Sequence, residues 1–179
     1  KSLMCGPDRL MLGNVSFQVA GHELVSICSV RHPLFRLRSQ FIYTGITQTT
    51  EGLERLYLEK NGEPSAHMIP RNYGRQFLKG VPKWNFSRVN NELSRYLGFQ
   101  HLQDISAASL KSRFFHIQIA EKWQEGLRSL SNKLDYPLPD LWQNRTKYKK
   151  EEFSPELKDL HRKKNPLDYK LYETCLKIA

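Results

Sequence analysis

Val25-Ser-Ile-Cys-Ser-Val-Arg-His-Pro-Leu-Phe-Arg-Leu-Arg-Ser-Gln-Phe-Ile-Tyr43 changes its period midway. Val25 to Val30 is short, β-branched and partly alternating, which predicts a buried strand. Pro33 ends it, because proline cannot donate to a ladder and suits the first turn of a helix. Leu34, Leu37, Phe41 and Ile42 then recur at helical spacing, and Thr44-Gly45 closes the helix. The product is a strand–turn–helix unit with a basic residue, Arg31, where the strand ends.

The same pattern recurs downstream. Phe114 to Ala120 alternates and predicts a second strand. Glu121 to Leu134 follows as an amphipathic helix with Trp123, Leu127, Leu130 and Leu134 on one face. Shorter helices are expected from a Thr50 cap to Glu59, and from a Ser87 cap to Leu97-Gly98. Residues 60–85 and 135–150 read as loops, and Leu167 to Ile178 as a last helix after Asn165-Pro166. Strands alternating with helices predict an α/β fold with a mainly parallel sheet, in one domain spanning 1–179. Ligands of such sheets lie at the carboxyl ends of strands, and Arg31 falls at one.

Composition narrows the function. Apolar residues make up 39% of the 179, enough for a core, so a wholly disordered chain is excluded. No apolar run approaches the roughly 18 residues of a membrane span. Lys and Arg exceed Asp and Glu by 28 to 18, a formal charge of +10 that favours an anionic partner. Three cysteines, Cys5, Cys28 and Cys175, cannot make a dense disulfide framework, and their spacing suggests no zinc site. A nucleic-acid module would explain the charge, but no reading motif or aromatic platform accompanies it.

Arg31 and Ser39 are the leading binding candidates. A guanidinium fork and a hydroxyl two helical turns further on could share one phosphate, although an isolated Arg and Ser read first as a surface Arg and a solvated helical Ser. Strand-Arg-x-Pro followed by Ser eight residues after the Arg resembles the 3′-phosphate segment of sulfotransferases that use 3′-phosphoadenosine 5′-phosphosulfate (PAPS). Further fragments follow in order: Met4-Cys5 with Arg9, Ser39-Gln-Phe-Ile-Tyr43, Asn91-Glu-Leu93 with Leu97-Gly98-Phe99, and Ile119-Ala-Glu121 with Glu125, Leu127 and Leu130. Asn144-Arg145 and Asn165-x-x-Asp168-x-x-Leu171-Tyr172 complete the set. From about Leu3 to Leu176 the chain resembles the galactose 3-O-sulfotransferase family, which includes galactosylceramide sulfotransferases.

The resemblance implies a P-loop-like sulfotransferase fold, of which this chain is the C-terminal portion. It implies sulfuryl transfer from PAPS, a co-substrate, to a galactose hydroxyl of a glycolipid or glycan, without a metal. Arg31 and Ser39 would bind the 3′-phosphate, Asn144 and Arg145 would close the nucleotide side, and Arg9 would face the acceptor or the sulfuryl group. A type II membrane protein of the Golgi lumen is implied, its anchor and its phosphosulfate loop expected upstream of Lys1. Three Asn-x-Ser/Thr sequons, at Asn14, Asn85 and Asn144, suit a secretory glycoprotein. Sulfuryl transfer also needs a base near the acceptor oxygen. Gly6-Pro-Asp-Arg9 offers only Asp8 where relatives often have His, so the base is not identified. His32 is expected to shape its turn and His116 to be structural. The alternative function is a non-catalytic sulfotransferase-like fragment that binds nucleotide or an anionic glycan. The basic stretch Arg145 to Lys164 reads either as a solvated face or as a lip over the adenosine phosphates.

Overall fold

A computed structural model describes residues 18–19, 22–23, 25–43, 47, 49–63, 90–138 and 152–179. The chain is mixed α/β, and it divides into two compact units. One comprises residues 1–32, 93–146 and 167–179, and the other 33–92 and 147–166.

The first unit is built on a two-stranded parallel sheet. Strands β1 (Gln18–Val19) and β2 (His22–Glu23) form a minimal antiparallel pair nearer the N-terminus. Strand β3 (Ile27–Val30) pairs in parallel with β4 (His116–Ile119), Ile27 opposite His116 and Val30 opposite Ile119. Both expected strands are therefore present, each shorter than its apolar run. The alternation read in β4 does not produce a wet face, because all four of its residues are buried. Ile117 and Ile119 enter a core with Cys28, Val30, Phe99, Leu110, Leu171 and Cys175. On the alternate positions, Gln118 donates from Nε2 to the carbonyls of Ile119 and Trp123. A Cβ on Gly126 would clash with the Gln118 side-chain amide, so the glycine makes room for it.

The short helices of this unit are fixed by their ends. Helix α3 (Glu92–Tyr96) stops where Gly98 takes φ +79°. Gly98 N–H donates to Arg95 O and Phe99 N–H to Ser94 O, the pair of bonds that closes a helix with a left-handed residue. Phe99 is thereby turned inward and fully buried. The Ser87 cap expected for this helix lies outside the described residues. Helix α4 (Ala107–Arg113) is capped reciprocally by Ser106 and Ser109 and buries Leu110. A 3₁₀ turn at Ala120–Lys122 leads into α5 (Trp123–Leu134), of which Leu130 is buried and Trp123, Leu127 and Leu134 are half-buried. Helix α7 (Pro166–Ile178) is the expected last helix. Its Asp168 is 1% exposed and accepts from the N–H groups of Leu93 and Ser94 at the start of α3.

Burial pushes the thiols of Cys28 and Cys175 up to about 12, with Cys175 adding to the effect on Cys28. Both are free, and neither offers a thiolate near neutrality. N-ethylmaleimide at pH 7.5 is expected to leave both unmodified in the native chain and to label both in denaturant, as read by peptide mass spectrometry.

The second unit is helical in its described residues. Helix α1 (Pro33–Tyr43) turns Leu34, Leu37 and Phe41 inward, as their spacing predicts. Helix α2 (Thr50–Glu59) buries Leu53 and Tyr57. Its cap is Thr49 rather than Thr50, because the Thr49 hydroxyl takes the Gly52 N–H. Helix α6 (Pro155–Lys164) was not foreseen as a helix. Ser154 caps it, Pro155 occupies its first turn, and Leu157 and Phe153 join the core of α1 and α2. Four basic residues crowd its last turn, His161, Arg162, Lys163 and Lys164, where the helix dipole favours positive charge. The part of the basic stretch that is described is thus a helix with one buried face.

A polar knot closes this unit. Asn165 is 1% exposed. Its Oδ1 accepts the Asn91 N–H at 2.9 Å, and its Nδ2 faces His161 O, Tyr57 OH and Asn90 Oδ1. The Asn90 amide in turn donates to Gly62 O. The turn residues Asn61, Gly62 and Asn91 all have positive φ, which these bonds hold in place.

Candidate functional site

Parallel pairing sends β3 and β4 out of the sheet on the same side, Arg31 and His32 from one and Ala120 and Glu121 from the other. Open α/β sheets bind ligands at such carboxyl ends. The two exits are tied together. His32 N–H donates to Glu121 Oε1 at 3.0 Å, and Tyr172 of α7 lies 3.4 Å from Glu121 Oε2. The His32 ring meets Tyr169 and Tyr172 edge-on, with centroids 5.6 and 5.2 Å away. Burial, followed by the charge and hydrogen bond of Glu121, pushes the Tyr172 phenol up to about 12, so it stays protonated and donates. Both oxygens of Glu121 are engaged, which suits the carboxylate to fixing the turn after β3.

Arg31 stands at this fixed turn. It is half-buried and has no hydrogen bond or ion pair among the described residues. A guanidinium in that setting keeps its planar fork available for an anion, and a phosphate offers matching oxygens. The corner thus combines a hydrogen-bonded turn with a cation that has no partner among the described residues.

Ser39 lies on α1 in the second unit, half-buried, with no side-chain hydrogen bond among the described residues. Arg31 belongs to the first unit. Arg9, Asn144 and Arg145 lie outside the described residues, as does Asp8. No group of three or more His, Cys, Asp or Glu among the described residues could hold a metal ion.

In the sequence Glu121 and Tyr172 belong only to the resemblance, which gives them no role. Their place at the exit of β3 follows from a pairing across almost ninety residues, which no local pattern displays. Asn165 and Asp168, from the same resemblance, are buried hydrogen-bonding residues that organise their own units. Compared with known proteins, the chain matches no family model, no curated protein and no solved structure.

Proposed function

We propose that this chain is the C-terminal portion of a P-loop-like sulfotransferase fold, and that Arg31 grips the 3′-phosphate of PAPS. The observation that carries the reading is a half-buried guanidinium at the carboxyl end of a parallel strand, without a partner among the described residues. In the ordered set of motifs Ser39 serves the same phosphate, an assignment that rests on its eight-residue spacing from Arg31. Arg145 and Asn144 would close the nucleotide side and Arg9 would meet the acceptor, a galactose hydroxyl of a glycolipid or glycan. The +10 charge suits a nucleotide with several negative groups. The reaction is sulfuryl transfer: the acceptor oxygen forms a bond to sulfur, the bond from sulfur to the phosphate oxygen breaks, and 3′-phosphoadenosine 5′-phosphate leaves. The acceptor proton passes to a base. A Golgi-lumenal setting accompanies the reading.

The alternative reading, a non-catalytic sulfotransferase-like fragment, would bind nucleotide or an anionic glycan and transfer nothing. Incubation with sulfur-35-labelled PAPS and galactosylceramide separates the two. Labelled lipid that requires the chain supports the enzyme. Nucleotide binding without labelled lipid supports the non-catalytic form, and neither outcome together with a folded chain overturns both.

A further inference from the structure

The backbone holds Arg31 from both sides. Before it, Val30 sits in the parallel ladder opposite Ile119. After it, the His32 N–H donates to Glu121 Oε1 at 3.0 Å. That N–H belongs to the planar peptide joining Arg31 to His32, so holding it restricts ψ of Arg31. Pro33 restricts His32 in turn, because the residue before a proline is kept out of the helical region. The direction in which the Arg31 side chain leaves the strand end therefore depends on the grip of Glu121.

Glu121 can grip because it is itself held. An exposed glutamate ordinarily samples several rotamers, and ordering it costs entropy. Here the 3₁₀ turn Ala120–Lys122 fixes its backbone two residues past Ile119. The Tyr172 hydroxyl, 3.4 Å from Oε2, fixes the far side of its carboxylate. The Tyr172 ring also meets the His32 ring edge-on, so α7 restrains the donor and the acceptor of the same hydrogen bond. The charge of Glu121 has the wrong sign to attract an anion to this corner. Its contribution there is the acceptor geometry.

We propose that Glu121 is a positioning residue for Arg31. By accepting the His32 N–H, with Tyr172 behind it, it aims the guanidinium at an anionic ligand before that ligand arrives. That the ligand is a 3′-phosphate rests on the proposed function; the positioning of Arg31 does not.

Two readouts keep these claims apart. The first needs no ligand: NMR hydrogen exchange of the His32 amide in wild type, Glu121→Ala, Glu121→Gln and Tyr172→Phe. Glu121→Ala is expected to speed this exchange at least about tenfold, with the amides of residues 117–119 unchanged. The second is calorimetric preference for 3′-phosphoadenosine 5′-phosphate over adenosine 5′-phosphate. Glu121→Ala is expected to lower the preference about fivefold, the size of one lost hydrogen bond, with affinity for adenosine 5′-phosphate unchanged. Glu121→Gln keeps an acceptor without the charge and should restore both readouts. Tyr172→Phe should move both in the same direction as Glu121→Ala, and it carries the test if that variant does not fold. Unchanged His32 exchange in the folded variants overturns the proposal. So does Glu121→Gln behaving like Glu121→Ala, or a nucleotide preference that survives in Glu121→Ala. A wild type without a preference contradicts the proposed function instead, and the exchange readout then decides the positioning alone.

Discussion

Asn165→Asp is expected to destabilise the unit of α1, α2 and α6 by about 3 kcal/mol, although it changes almost no volume. The position is 1% exposed, and Nδ2 faces three oxygens, from His161, Tyr57 and Asn90. An aspartate oxygen there would set acceptor against acceptor. Ionised, it would be a buried charge with no cation among these partners; protonated, it would supply one donor where the amide supplies two. No cavity forms, so the loss measures hydrogen bonding and any buried charge, not packing. Urea denaturation gives the magnitude. Faster exchange of the Asn91 amide, which donates to Asn165 Oδ1, would localise it. An unchanged midpoint would mean that the knot adds nothing.

Asp168→Ala is the second large effect, about 3 kcal/mol or more in the unit of the parallel sheet. The carboxylate is 1% exposed and takes the N–H groups of Leu93 and Ser94. Alanine leaves the buried Ser94 amide and the half-buried Leu93 amide without this acceptor, and α3, with five residues, has little stability of its own to hold them. Loss of α3 would also release Phe99, whose burial follows from the bond of its N–H to Ser94 O. Hydrogen exchange should therefore accelerate across residues 92–99. Acceleration confined to Leu93 and Ser94 would show that α3 survives without this partner.

These two residues also mark how far the sequence can be read. The strand–turn–helix from Val25 to Tyr43 was legible because both periods are strong and Pro33 separates them. Trp123–Leu134 and Pro166–Ile178 were legible for similar reasons, a clear apolar face and a proline start. Helix α6 was hidden by its charge: Glu156, Lys158, Asp159, Arg162, Lys163 and Lys164 surround only a few inward residues. Its signals were local, a Ser154 cap followed by Pro155. Helix α4 was likewise short, marked by two serines three apart and one buried leucine.

The site is less legible than the fold. The position of Arg31 at a strand end follows from local pattern. Its lack of a partner among the described residues, and the Glu121 clamp on the neighbouring turn, are results of tertiary pairing. His116 is legible in part: a histidine alternating on a strand reads as structural, and its side chain is 3% exposed.

The central claim is that Arg31 reads a 3′-phosphate, and a calorimetric cycle isolates it. Wild type and Arg31→Ala are each titrated with 3′-phosphoadenosine 5′-phosphate and with adenosine 5′-phosphate, which lacks only the 3′-phosphate. Wild type is expected to favour the bisphosphate by at least about tenfold, or about 1.4 kcal/mol. In Arg31→Ala that preference should vanish, with affinity for adenosine 5′-phosphate unchanged. A folded wild type that does not distinguish the nucleotides, or a preference that persists without Arg31, would contradict the account.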